Sequence, residues 1–220
     1  MIKQKEQGIL IVVSGPSGCG KSTIDQRIVK DNKNVIISVS DTTRKKRTGE
    51  VDGIDYNYIS KDEFEANIKN NKYLEYAIVH SDNYYGTPAY RIDEQLNKGI
   101  DVILEIDIEG ARKVNELRKD AVFIFIMPPS MSELKNRLIG RKTETKEQIV
   151  ERFTKAYKEI NEVSTYNYVI VNDDLEESIK KFKSILICEK CRVNRIEDIY
   201  LGNKEEMIHE ILINYENEKD

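Results

Sequence analysis

The sequence predicts an α/β fold: a doubly wound parallel sheet of five strands with helices on its faces. Three observations carry this. Short apolar runs rich in β-branched residues recur along the 220-residue chain, and segments of helical spacing lie between them. A glycine-rich turn also stands directly between the first such run and the helical segment that follows.

The first strand is Ile9–Val13, and the turn behind it is Gly15-Pro16-Ser17-Gly18-Cys19-Gly20-Lys21-Ser22, which reads G-x-x-x-x-G-K-S. The glycines let the backbone wind so tightly that successive N–H groups converge on a polyphosphate. Lys21 can reach the β- and γ-phosphates, and the Ser22 hydroxyl can help hold Mg²⁺. The helix beginning there presents its partly positive end to the same anion. Gly15 through Thr23 are therefore the candidate triphosphate site, and Ser22 is the candidate metal ligand.

The remaining strands follow in order as Val35–Val39, Val102–Ile108, Val122–Met127 and Tyr168–Val171. Pro128 and Pro129 break the chain after the fourth run, and Ser130 with Glu133 forms a capping box that opens the next helix. Leu134 and Leu138 fall four apart on it, while Leu175, Ile179, Phe182 and Leu186 make one stripe of a later helix. Two segments break the rhythm. Asp41 to Pro88 is polar, rich in tyrosine and turn residues, and alternates too weakly for a core strand. Gly140 to about Arg152 is charged and interrupts two helices. Both read as lobes inserted over the phosphate site.

Composition narrows the function classes. Hydrophobic residues make up 39% and charged residues 34%, an ordinary composition for a chain with a well-solvated surface. The net charge of −4 argues against a general binder of nucleic acid or anionic membranes, and leaves room for a local basic cleft. No apolar run approaches the roughly 20 residues that span a bilayer, and the polar stretch Met1 to Gly8 is not followed by a signal-peptide core. Three cysteines make no disulfide framework, so the expected location is a reducing cytoplasm.

A second constellation follows the second strand. Arg44, Lys45, Lys46 and Arg47 would alone read as a solvated loop. Here they sit at the carboxyl end of a strand beside glycine turns and the phenols of Tyr56 and Tyr58. Arginine forks and tyrosine hydroxyls together suit a phosphomonoester.

At these residues the chain resembles the guanylate kinases, which move the γ-phosphoryl group of ATP to GMP. Thr42, Thr43, Arg44, Arg47, Glu50, Gly53, Tyr56 and Tyr58 meet one family pattern in full. Further matches are Leu74-Glu75-Tyr76-Ala77, Asn83-Tyr84-Tyr85-Gly86-Thr87-Pro88, Leu104-Glu105-Ile106-Asp107-Ile108-Glu109-Gly110 and Val171-Asn172-Asp173-Asp174-Leu175. The resemblance runs from about Gly8 to about Ile187. It implies a P-loop nucleoside-monophosphate-kinase fold in a domain of residues 1–187. Its core would be 8–40, 89–139 and 153–187, with a GMP-binding lobe at 41–88 and a mobile lid at 140–152. Residues 188–220 would be an extension.

The resemblance also implies roles. Arg44, Arg47, Tyr56 and Tyr85 would hold the GMP phosphate. Ser40 and Thr87, with Gly86 beside them, would meet the guanine O6 side, and Glu75 would accept from N1–H and the exocyclic amine. A carboxylate suits that pair of donors, which adenine does not present, and an unpaired buried carboxylate would penalise the wrong base. Glu105 and Asp107 would orient phosphates or metal through water at a strand end, the alternative being a pair of edge charges. Arg141 and Arg152 would close with the lid on the transferred group, joining Lys21 and Arg47 in neutralising its charge. Asn172 would lie near adenine, and Arg137 on a helix face or the nucleotide side. The implied cofactor is Mg²⁺, carried as Mg-ATP. The implied partners are ATP and GMP, with dGMP a second acceptor, no nucleic acid and no membrane; a homo-oligomer stays open.

Some residues depart from the family pattern or lie outside it. Lys46 and Lys142 stand where proline and glycine are common. Cys19, near a helix N-terminus, is either a thiol of lowered pKa open to oxidation or a small filler. Cys188 and Cys191 offer two ligands where structural zinc needs four, so they read as free thiols. Met207, Ile208, Ile211, Leu212 and Tyr215 would share a helix face that packs on the core or on a neighbouring subunit. Two rival readings differ in specific residues. A non-catalytic guanylate-kinase-like interaction module typically lacks the phosphate loop. A kinase for another acceptor should lack the set Ser40, Glu75 and Thr87.

Overall fold

The apolar runs become a five-stranded, all-parallel sheet in the computed structural model, which describes residues 7–79, 82–139 and 146–196. In chain order the elements are β1 (Leu10–Ser14), α1 (Lys21–Asp31), β2 (Val35–Ile37), β3 (Asp41–Thr42), β4 (Asn57–Tyr58), α2 (Lys61–Lys69), β5 (Tyr73–Val79), β6 (Asn83–Pro88) and α3 (Ala89–Asn97). They continue as β7 (Asp101–Glu105), α4 (Ile108–Leu117), β8 (Val122–Met127), α5 (Met131–Ile139), α6 (Lys146–Ile160), a 3₁₀ turn, β9 (Tyr168–Val171), α7 (Leu175–Lys190) and α8 (Val193–Ile196).

The core sheet runs β2-β7-β1-β8-β9, with β1 at its centre. Alternation along β1 decides what covers each face. Ile11 and Val13 pack with Ile24 and Ile28 of α1 and with Ile179, Phe182 and Leu186 of α7. Leu10 and Val12 pack on the other side with Ile92 and Leu96 of α3 and with Ala111 and Val114 of α4. The chain leaves β1 between its neighbours β7 and β8, a switch point where open α/β sheets take ligands at strand ends.

Residues 41–88 add no strand to this sheet and build their own, ordered β4-β3-β6-β5. Its strands are too short, or too populated by polar pairs, to show as alternation. Leu74 on β5 joins the cluster of the core sheet's α3/α4 face and roots the lobe there. On the lobe's inner side Phe64 of α2 stacks on Tyr73 at 4.4 Å between ring centroids. Behind them the buried Asp41 carboxylate accepts from Asn57 Nδ2 at 2.9 Å and from the Tyr73 hydroxyl at 3.0 Å.

Several expected boundaries shift for local reasons. The strand expected over Val102–Ile108 stops at Glu105, because the Asp107 side chain caps α4 by accepting from Gly110 N at 2.9 Å. Ser130 caps α5 as expected, accepting from Glu133 N. The return half of the box is missing, since Glu133 binds Arg137 instead. The charged segment read as a lid is helical from Lys146, the start of α6, which passes through Arg152. The last turn of α7 reaches Lys190 and holds Cys188, placed in the extension from sequence. In that turn Glu189 is 1% exposed, accepts from the Tyr168 hydroxyl at 2.6 Å and pairs with Arg192 and Arg195.

Removing one partner of such a buried set strands the others. Glu189→Ala is expected to lower stability by about 2–3 kcal/mol, read as an earlier urea midpoint at unchanged slope.

Candidate active site

The turn after β1 keeps its shape through backbone that only glycine adopts readily. Gly20, the N-cap of α1, has φ 95°, and an added Cβ would stand 2.4 Å from Asn172 Nδ2. At Gly15 (φ 145°) it would stand 2.1 Å from the Ile126 carbonyl oxygen. Lys21 folds over the turn, donating to the carbonyls of Gly15 at 2.6 Å and Pro16 at 3.3 Å. Ser17, Ser22 and Thr23 are exposed along the same rim. Leu134 and Leu138 pack beneath Gly18, so α5 supports the turn from below.

The Asn172 side chain lies against the back of the turn. Its buried amide donates to the Cys19 carbonyl at 2.8 Å and accepts from the Ser178 hydroxyl at 3.1 Å, which makes it the rear support of the turn. Arg137 donates to the Asn172 carbonyl and to Glu133. Cys19 is fully buried, and burial pushes its thiol up, with Lys21 pulling the other way. Of the two readings of Cys19, burial favours the small filler, and the residue packs in the core cluster.

The two acids expected at one strand end have different surroundings. Glu105, the last residue of β7, accepts from the Ser22 hydroxyl at 3.1 Å. Asp107 lies two residues beyond the end of β7 and caps α4, so only Glu105 of the two is on the strand. A serine hydroxyl held by a carboxylate at the mouth of a phosphate loop is a hard-oxygen set, which suits Mg²⁺. Among the described residues no group of three or more His, Cys, Asp or Glu could hold a metal by itself, so nucleotide oxygens and water would complete the shell. Cys188 and Cys191 are both exposed free thiols.

The lobe's sheet builds a second pocket by register. Thr42 pairs with Tyr85 and Glu75 with Thr87, and two-residue alternation puts Tyr85 and Thr87 on one face. Gly86 falls on the other face, where an added Cβ would lie 2.8 Å from Phe64 Cζ. Packing is thus the visible reason for a glycine there, and its side is not that of the expected base contacts. A register shift between Tyr73 and Glu75 re-aims β5 at Glu75. The buried Thr87 hydroxyl donates to Glu75 Oε1 at 2.5 Å, and burial pushes the Glu75 carboxyl up, with Thr87 and Lys113 opposing. Ser40 lies just before β3, and its carbonyl accepts from Asn57 N at 2.9 Å.

Next to Thr87 the cage forms around Arg44. Its Nε donates to the Tyr85 hydroxyl at 3.1 Å, and its guanidinium carbon lies 5.4 Å from the Tyr56 ring centroid. Both Nη groups hold Glu50, at 3.0 and 2.8 Å. Glu50 also accepts from the Tyr58 hydroxyl and from Arg47 N, both at 2.7 Å. The Arg44 fork, then Arg47 N and Tyr58, bring the Glu50 carboxyl down to about 2. The Arg47 side chain is exposed on the rim. Glu50 was not assigned a role from sequence, although its acidic place in the Thr42–Tyr58 pattern signalled one.

From the lid side, Arg152 Nη1 donates to Ser17 Oγ at 3.1 Å, so α6 reaches the phosphate loop. Arg141 and Lys142 lie outside the described residues. Glu159, the second-last residue of α6, was missed by the sequence reading; burial pushes its carboxyl up, with Lys155 and Lys21 opposing. Asp25 was missed as well, because inside a helical stretch it gives no pattern to read.

A phosphate loop at the switch point of a parallel sheet, facing an arginine–tyrosine cage on an inserted sheet, defines a P-loop kinase of the nucleoside-monophosphate type. The guanylate kinase family model matches residues 7–189. A guanylate kinase from Clostridium tetani is 56% identical over 207 residues, covering 94% of this chain and 99% of that protein. One from Caldanaerobacter subterraneus subsp. tengcongensis is 50% identical over 93% of this chain and 98% of its own length. The crystal structure of guanylate kinase from Anaplasma phagocytophilum superposes with a TM-score of 0.69 at 34% identity, covering 92% of this chain and 95% of that one. The chain belongs to the guanylate kinase family. Among the described residues no helix is long and apolar enough to cross a membrane.

Gly20→Ala forces a left-handed alanine against Asn172. It is expected to lower stability by about 1–2 kcal/mol and to weaken nucleotide binding, read together by thermal melting with and without ATP.

Proposed function

We propose that the chain transfers the γ-phosphoryl group of ATP to GMP, giving ADP and GDP, with the triphosphate in the Gly15–Thr23 loop and GMP in the lobe. The observation that carries the acceptor's identity is Glu75, a half-buried carboxylate held by Thr87 beside the Arg44–Tyr85 cage. A base pocket lined that way selects a ring edge with two adjacent donors, and guanine has one. dGMP shares that edge and is a second acceptor.

The roles follow from position. The backbone of Gly15 to Ser22 cradles the phosphates, and Lys21 exchanges its loop carbonyls for the β- and γ-oxygens. Ser22, steadied by Glu105, would hold Mg²⁺, which supplies charge neutralisation on the phosphate oxygens. Arg44, Tyr56 and Tyr85 seat the GMP phosphate, with Glu50 keeping the Arg44 fork in the plane that receives it. Arg47 on the rim, Arg152 from α6 and Arg141 from the lid bring charge to the group in transit. In-line positioning and such neutralisation are most of what phosphoryl transfer requires. Closure of the lid keeps water from competing as acceptor. The soluble reaction partners fit a cytoplasmic enzyme.

The direct test is ADP release with Mg-ATP and each of GMP, dGMP, AMP, CMP and UMP. Turnover with GMP far above AMP is expected, and release with none of them would reject the acceptor assignment. Glu75→Gln keeps the size but puts a donor where an acceptor is needed. It should reduce kcat/KM for GMP by about a hundredfold or more while leaving ATP binding unchanged.

A pH dependence also follows. Glu75 must be ionised to accept from guanine, and burial raises its pKa above the ordinary glutamate value. GMP affinity should therefore fall as pH drops through that raised value, earlier than for an exposed glutamate. A binding profile flat down to the ordinary carboxylate range would contradict it.

A further inference from the structure

Glu75 stands on the outer strand of the lobe's sheet, β4-β3-β6-β5, so one edge of β5 has no strand beside it. On the inner side the pairing with β6 is interrupted by the register shift between Tyr73 and Glu75, just ahead of the carboxylate. An edge of this kind leaves backbone groups without ladder partners. The core helix α4 reaches β5 on both sides of Glu75. Before it, Leu74 packs in one cluster with Ala111 and Val114 of α4. After it, Lys113 Nζ donates to the Tyr76 carbonyl at 3.0 Å and lies 5.7 Å from the Tyr76 ring centroid. Arg112, the neighbouring cation, turns back to Glu109 on its own helix.

We propose that Lys113 is a positioning residue for the acceptor's base: by tying β5 to α4 next to Glu75, it sets the carboxylate where guanine meets it. This rests on the reading of Glu75 as the residue that selects guanine. Thr87 fixes one carboxylate oxygen from β6, and Lys113 fixes from the core the strand that bears it. Without the second tie, the peptide beyond Glu75 loses its polar hold on α4, and part of the binding free energy of GMP goes into ordering it. The loss falls on GMP, because the phosphate loop lies on other elements, β1 and α1. An electrostatic consequence accompanies it. Burial raises the Glu75 carboxyl; the Thr87 hydroxyl and the Lys113 charge oppose this, and Asp107 at the N-cap of α4 adds to it. Removing the Lys113 charge raises the acid further, so GMP affinity is lost at a higher pH.

The test is steady-state kinetics with Mg-ATP and GMP, and calorimetric binding of GMP across pH. It uses the full chain as wild type, Lys113→Met, Lys113→Arg and Arg112→Met. Lys113→Met keeps the stem and removes the donor and the charge. It should raise KM for GMP about three- to tenfold, the range one hydrogen bond supplies, with kcat and ATP affinity little changed. Its GMP affinity should also fall away at higher pH than that of the wild type. Lys113→Arg retains the charge and the donors and should restore most of both. Arg112→Met removes the same charge from α4 but no bond to the lobe, and should match the wild type. A wild-type KM and pH profile in Lys113→Met overturn the inference and leave the kinase reading intact. An equal rise of KM in Lys113→Met and Arg112→Met overturns it too, since the effect is then general attraction of an anion. A wild type that does not turn over GMP sinks the Glu75 reading and this inference with it.

Discussion

The site depends first on the left-handed backbone at Gly20 and on the Asn172 amide pressed against it. A loop that points several N–H groups at one anion has its own carbonyls turned away, and those need partners behind the loop. Asn172 supplies one for Cys19, and Ser178 holds the other end of the Asn172 amide. The strand β9, the loop after β1 and the start of α7 are thereby fixed to one another. Lys21 caps the same turn from the front by binding Gly15 and Pro16. The loop is therefore preformed, and its binding energy goes into the ligand rather than into ordering backbone.

The acceptor pocket solves a different problem, since it must place cations and a carboxylate close together on a small sheet. Register does this. Tyr85 and Thr87 share a face two residues apart, with Arg44 at one end and Glu75 at the other. Glu50 keeps Arg44 oriented by taking both arms of its fork, and the phenols around it bar other geometries. Gly86, pressed on Phe64, lets the sheet lie close enough to α2 for this register to hold.

Much of this was legible in the sequence, and the limits have physical causes. The five core strands announced themselves as apolar runs, buried nearly throughout in β1, β7 and β8 and only in part in β2 and β9. The phosphate loop and the Arg44–Arg47 run beside Tyr56 and Tyr58 were legible because turn chemistry and charge sit at fixed spacings, whereas Tyr85 and Glu75 came only through the family resemblance. The lobe's own sheet was not, because β3 and β4 are two residues each and β5 and β6 carry their polar residues inward. Asn172 and Asp107 were found, and the structure adds contacts that no motif announced, to the Cys19 carbonyl and to the start of α4. A motif marks that a residue matters at a place without saying whether it faces the ligand or holds what does. Asp25, Glu159 and Glu50 share the remaining difficulty. Their states come from what folding brings beside them, and no local pattern records that.

The carboxylates around the site divide by environment, and the division bears on function. Glu50, satisfied by the Arg44 fork, sits at about 2. Its pairing contributes stability above the unfolded glutamate value, and this is lost as pH falls toward that lowered pKa. Glu75, Asp25 and Glu159 are pushed the other way by burial. The sign reverses for them. Their contribution to folding worsens as pH rises from the unfolded value through the raised folded one, so at neutral pH they oppose the folded state. Sites selected for stability alone would not keep such groups. An acid raised by burial in the free protein makes sense where a ligand brings further donors, as guanine would for Glu75 under the proposed reaction.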